Sequence, residues 1–255
     1  MIQSTHSKPV DLRSLQRTIT QDICNRRGAA FGGVIFGAAI DVCEILTDAR
    51  LNSTSIQFLR PAMLDQIISY EPSWVESRSS FSCMGLDVAA SGRTIATLQA
   101  RLSEDTERIE TSPYTVLPNV NPPEQCEIVR HCNSDDSQSI WNRVEIRRGL
   151  IAPDRGRAIL WIRSDDLGLG PIAQLAVLSD WGPTAYGELT GSSGKGASVN
   201  TTLSAVSARS TEWTMVDFQL LKRDSLCVHM HATLWDQSGS LLGDTFQTFM
   251  PIEVA

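Results

Sequence analysis

The chain lacks most of the features that would place it in a familiar functional class. No apolar run reaches the roughly 18 residues that a membrane helix needs. The opening stretch "MIQSTHSKPVDLRSLQ" has no apolar core of a signal peptide, so none is expected. Six cysteines (Cys24, Cys43, Cys83, Cys126, Cys132 and Cys227) form no CxxC pair; without a secretory signal they read as reduced thiols in a cytoplasmic protein. There is no GxSxG elbow, which disfavours an α/β-hydrolase. "GSSGKG" falls short of the phosphate-loop spacing. His229 and His231 share one strand face by period two, but no third ligand stands at a matching spacing, so no metal and no cofactor are expected. A net charge of −7 argues against nucleic acid or an anionic membrane as partner. An anionic ligand would have to be met by a local group of Arg or Lys.

What is present is an ordinary globular composition, 42% hydrophobic and 20% charged, in 255 residues. Between Glu104 and Asn142 the stretch "TSPYTVLPNVNPPEQCEIVRHCNSDDSQS" carries four prolines and little apolar period, and reads as a linker over the surface. A similar element order stands on each side of it. The first half offers an apolar helix, "FGGVIFGAAIDVCEILTDA", then "STSIQFLRP", "QIISYEPSWVES", "SSFSCMGLDVAA" and "RTIATLQARL". The second offers "GRAILWIRS", the helix "GPIAQLAVLSDW", then "ASVNTTLSAVSA", "EWTMVDFQLLKR", "SLCVHMHATLWD" and "LLGDTFQTFM". Apolar–polar alternation in "TIATLQARL" and "CVHMHATLW" supports half-buried strands. Ser91-Gly92 and Ser238-Gly239 supply turns at matching places. This predicts an α+β chain in which a helix wrapped by curled antiparallel strands occurs twice, as an internal pseudo-dimer.

One residue breaks the pattern. Asp180 closes the apolar helix beside Trp181, and a carboxylate removed from water must find partners or neutralise. Gly182-Pro183 follow at once, so Asp180 falls at a helix C-terminus, where the dipole disfavours negative charge. An unhelpful position of this kind reads more readily as function than as accident.

"FGGVIFGAA", "SIQFLRPA" and "WVESRSSFS", followed by "SDWGP", "ASVN", "EW" and "ATLWDQSGSLLGDTFQ", resemble in order and spacing the double-hotdog acyl-CoA thioesterases of the type II class. The resemblance covers roughly Phe31 to Arg101 and Trp141 to Met250. It implies two tandem hotdog repeats, 1–115 and 141–255, joined by a linker over 116–140, and a homodimer or higher homo-oligomer. It also implies hydrolysis of acyl-CoA, or a related acyl thioester, by a water held between Asp180, Ser198 and Gln247. Asp180 would be the general base. Gly32 and Gly33 suit close approach of a ligand to the helix N-terminus, where a backbone N–H could meet the oxyanion. The acyl tail is expected between the paired helices.

Two departures from that family pattern bear on the reading. Asn200 and Thr201 stand where an Asp-His pair is common, and "NSTSIQ" carries no histidine. They motivate an alternative: a non-hydrolytic hotdog protein that binds an acyl or polyketide-like ligand, or runs another reaction in the same pocket. An enoyl-CoA hydratase would need Asp and His in one short motif, which is absent. Arg143, Arg147, Arg148, Arg155, Arg157 and Arg163 are either a solvated strand face, the favoured reading, or a basic patch for the coenzyme A diphosphate. Lys195, in the loop "LTGSSGKGASV", is a further candidate phosphate contact.

Overall fold

The computed structural model describes residues 15–25, 27–78, 80–104, 116–129 and 139–252. Cys132 and much of the expected linker, 130–138, lie outside these. The first half runs β1 (Gln16–Thr18), α1 (Gly32–Thr47), β2 (Arg50–Phe58), β3 (Ile67–Ser77), β4 (Ser82–Ala90) and β5 (Arg93–Ser103). A short β6 (Glu127–Ile128) follows, then β7 (Val144–Ala152) and β8 (Arg157–Ser164). The chain then forms α2 (Pro171–Ser179), α3 (Gly182–Thr190), β9 (Gly196–Ala205), β10 (Thr214–Arg223), β11 (Val228–Asp236) and β12 (Leu241–Pro251).

The strands among the described residues join one antiparallel sheet of 12, ordered β1-β3-β4-β5-β2-β9-β12-β11-β10-β8-β7-β6. Read outward from the centre, β2-β5-β4-β3-β1 on one side matches β9-β12-β11-β10-β8 on the other. The two halves meet where β2 pairs with β9, with Ile56 opposite Thr201 and Gln57 opposite Asn200. Strand alternation sorts side chains between the two faces. On β8, Ala158, Leu160 and Ile162 enter the main core with the helices, whereas Ile159 and Trp161 face the other way.

The helices are apolar because they are enclosed. Gly33 to Ile40 of α1, and Ala173 with Leu175 to Ser179 of α2, are buried. The two lie against each other through small residues. A Cβ on Gly37 would stand 2.6 Å from the Ala173 carbonyl oxygen, and one on Gly33 would stand 2.9 Å from the Val177 Cα. The backbones therefore touch, which overturns the expectation that an acyl tail runs between the paired helices.

The second helix ends at Asp180, as the sequence suggested, but a further helix that the sequence did not suggest follows at once. Pro183 cannot donate to the residue 179 carbonyl and its ring clashes there, so α2 stops. The chain passes through Asp180 (φ −82°, ψ 15°) and Trp181 (φ −93°, ψ 15°) and restarts as α3, with Pro183 in its first turn. The linker is also more than a surface run. Its described part, 116–129, crosses the outer face of the second half, where Val120 and Cys126 cover a small second core of Ile159, Trp161, Trp213, Met215 and Trp235. Trp161 Nε1 donates to the Asn121 carbonyl at 2.9 Å, and β6 then pairs with β7.

Candidate functional site

The interruption between α2 and α3 sets Asp180 against the first turn of α1. Its Oδ2 accepts the Gly33 backbone N–H at 2.6 Å, so the favourable end of one helix dipole meets a carboxylate at the unfavourable end of another. Its Oδ1 accepts the Ser198 hydroxyl of β9 at 2.8 Å and the Gln247 side-chain amide of β12. Gln247 Nε2 also donates to Ser198 Oγ at 3.2 Å. Asp180 and Gln247 are each 3% exposed. Three side chains from separate stretches of the sequence thus form one hydrogen-bonded set.

A carboxylate offers about four lone-pair positions, and the chain's donors take three. Burial raises the Asp180 pKa to about 7, against the opposing effect of the Ser198 and Gly33 hydrogen bonds. A carboxyl group raised into this range is suited to exchange a proton near neutrality.

Several polar atoms beside the trio are buried with no protein partner among the described residues: Gln247 Oε1, Thr201 Oγ1 and Trp181 Nε1. Each such atom costs on the order of 1–3 kcal/mol if left dry. Thr201 sits directly opposite Gln247 in the β9–β12 ladder. Asn200 faces the other way and donates to the Ile56 carbonyl at 3.0 Å, tying β9 to β2. Sequence reasoning marked Asn200 and Thr201 only as departures from the family pattern; the orphaned Thr201 hydroxyl emerges only in three dimensions.

Space at the site depends on glycine. A Cβ on Gly32 would lie 2.9 Å from Asp180 Oδ2, 3.3 Å from Phe58 Cζ and 3.5 Å from Ser198 Oγ. On Gly182 it would collide with Gln247 Oε1. Gly33 differs from expectation, because its N–H is engaged by Asp180 and so holds the carboxylate in place. Lys195 is exposed in the turn entering β9, outside this hydrogen-bonded set.

The pseudo-symmetry uncovers a second carboxylate that sequence reasoning missed. Asp41 stands nine residues after the first residue of α1, as Asp180 stands nine after the first of α2. Both Asp41 oxygens accept the Gly170 N–H at the start of α2, at 3.2 and 3.1 Å, mirroring the Asp180–Gly33 contact. Its pKa rises to about 6, from burial and the Glu44 charge, against the Gly170 hydrogen bond and the Arg17 charge. The rest of the set is missing. Matching the β-bulges in the β2–β5 and β9–β12 ladders puts Leu51 where Ser198 stands and Ala100 where Gln247 stands. One half keeps acid, hydroxyl and amide; the other keeps the acid alone.

The arginines are already paired. Arg143 binds Asp22 and Asp165, Arg147 binds Glu145, and Arg148 binds Glu188 and Glu127. Arg155 faces Asp154, Arg157 binds Asp217 through two bonds, and Arg163 binds Glu145 and Glu212. This fits the solvated-face reading and leaves no unpaired basic patch there. A cleft of about 700 Å³ beside Arg143 and Arg163 is lined by these ion pairs and includes none of the trio. His229 contacts Thr248 and Asp224, and His231 contacts Asp244. No group of metal-ligating side chains occurs among the described residues, and no helix among them is long and apolar enough to cross a membrane.

Two helices laid side by side under one sheet, each followed by the same run of strands, define the double-hotdog architecture. Solved structures share it. A proposed thioesterase from Novosphingobium aromaticivorans aligns over 96% of this chain and 100% of its own, with TM-score 0.81 and 23% identity. A hot-dog-fold protein of unknown function from Alicyclobacillus acidocaldarius aligns over 94% and 93%, with TM-score 0.76 and 17% identity. An acyl-CoA thioesterase II from Mycobacterium marinum aligns over 89% and 93%, with TM-score 0.62 and 14% identity. At these identities the likeness establishes the fold. No family model matches the chain, and no curated protein matches its sequence.

Proposed function

We propose that the protein hydrolyses an acyl thioester, acyl-CoA or a related carrier thioester, with a water activated by Asp180. The observation that carries this reading is the buried carboxylate held between a hydroxyl, an amide and a helix N-terminus, with one lone-pair position left for water. The thioesterases among the structural neighbours support the same reaction class. In this reading the water gives its proton to Asp180 as its oxygen bonds to the acyl carbon. Ser198 and Gln247 orient the water and the carboxylate. The Gly32 N–H, in the first turn of α1, meets the developing oxyanion. The C–S bond then breaks and the thiolate takes up the proton, releasing free acid and thiol. The two repeats are assigned to 1–115 and 141–255, and a homo-oligomer is part of the proposal. Chemistry is confined to the half that kept all three groups.

Thiol release across short, medium, long and aromatic acyl-CoAs tests this. Ser198→Ala and Gln247→Ala should each lower kcat about tenfold or more, the equivalent of one hydrogen bond of roughly 1.4 kcal/mol. Stabilisation by acyl-CoA with no thiol released over hours would instead support the non-hydrolytic, ligand-binding alternative.

A further inference from the structure

The helix interface is closed at Gly33–Val177 and Gly37–Ala173, so an acyl group that reaches Asp180 must lie elsewhere. An apolar wall stands beside the carboxylate where it meets the first turn of α1. Phe58 Cζ and Phe31 Cε1 come within 3.3 and 2.9 Å of the Cβ positions missing from Gly32 and Gly33, the same two glycines that touch Asp180. The Phe31 ring lies 4.8 Å from that of Trp181, tilted by 33°, and Trp181 meets Trp141 edge-on at 4.5 Å. Trp181 is buried at 1% exposure, whereas Phe31, Phe58 and Trp141 are each partly open to solvent. A row of rings therefore leads from the reactive carboxylate to the surface. Aromatic rings prefer offset or edge contacts with other rings, and gain from them beyond the area buried. A flat ring can meet this wall in that way; a flexible alkyl chain cannot, and must also lose rotamer freedom to lie along it.

We propose that Phe31, Trp141 and Phe58, backed by the buried Trp181, form the acyl subsite and that it selects an aromatic acyl group over a linear alkyl one. This rests on the acyl-thioester reading above. Its test uses binding, so that it can fail separately from hydrolysis. The probes are two thioethers of coenzyme A that resist hydrolysis and carry a carbonyl at the same place: the phenacyl thioether and the 2-oxooctyl thioether, which have equal carbon number. Isothermal titration of the full chain should show the phenacyl probe binding about tenfold more tightly. Trp141→Leu and Phe58→Leu should each remove most of that preference, and Trp141→Phe should restore it. Equal or tighter binding of the 2-oxooctyl probe, binding of neither, or equal weakening of both in the Leu variants would overturn the proposal. If Trp141→Leu does not fold, Phe58→Leu and the wild-type comparison still decide. Ring selectivity without thiol release would keep the subsite and end the hydrolase reading. Thiol release without ring selectivity would do the reverse.

Discussion

Asp180 is the residue on which the proposed chemistry turns, and its environment sets the pH behaviour expected of it. Burial lifts its pKa to about 7, above the ordinary carboxylate value of 3.8. In the proposed mechanism ionised Asp180 is the base, so kcat should rise with pH and reach half its plateau near pH 7, read from initial rates of thiol release between pH 5 and 9. The stability effect has the opposite sign. Between pH 3.8 and about 7 the native state binds more protons than the unfolded chain, so stability falls as pH rises through that window. Asp41, raised to about 6, contributes in the same direction up to that pH. With Leu51 and Ala100 in place of a hydroxyl and an amide, Asp41→Asn should leave kcat/KM within about threefold of wild type and flatten the loss of melting temperature between pH 4 and 6. A loss of activity comparable to that of Ser198→Ala would contradict the one-sided assignment.

The sequence exposed Asp180 because a lone charge in an apolar helix breaks a visible pattern. Ser198 and Gln247 had no such mark. Polar residues alternate along every half-buried strand, and only the resemblance singled these two out. Asp41 stayed hidden because "IDVCEIL" reads as an ordinary helix with a polar face; its role depends on Gly170, far away in the chain.

At the scale of elements, close helix packing is a consequence of glycine placement. Gly37→Ala should force α1 from α2 and destabilise the protein by about 1–3 kcal/mol, measured by urea unfolding, because the new methyl would meet the Ala173 carbonyl oxygen. An unchanged midpoint would show that the helices can separate without loss. The order of strands was legible from alternation and turns, down to the hairpin at Ser91-Gly92, where both residues hold positive φ. The restart of α3 was not, since Gly-Pro reads as a stop and its second role as the start of a new helix depends on what packs against it. The arginine-rich stretch gave its strand but not its partners, because Glu188, Glu212 and Asp217 reach it only through the fold.

At the scale of the molecule, the β2–β9 ladder makes one sheet of two repeats, and the helix contact makes one core beneath it. Neither half can keep its inner face dry without the other. Calorimetry should therefore show a single cooperative transition, with calorimetric and van't Hoff enthalpies in agreement. Two resolved transitions would mean that the repeats are independently stable. The same junction assembles the proposed site, since Asp180 and Ser198 come from the second half while Gly32 and Gly33 come from the first.

The proposed hydrolysis requires Asp180 to accept a proton from water. Asp180→Asn keeps the size of the side chain and one acceptor oxygen. Its kcat for thiol release from the best acyl-CoA substrate should fall by about 100-fold or more, with the fold retained by circular dichroism. Undiminished turnover in the folded Asn variant would mean that this buried acid is structural and that the proposed chemistry is wrong.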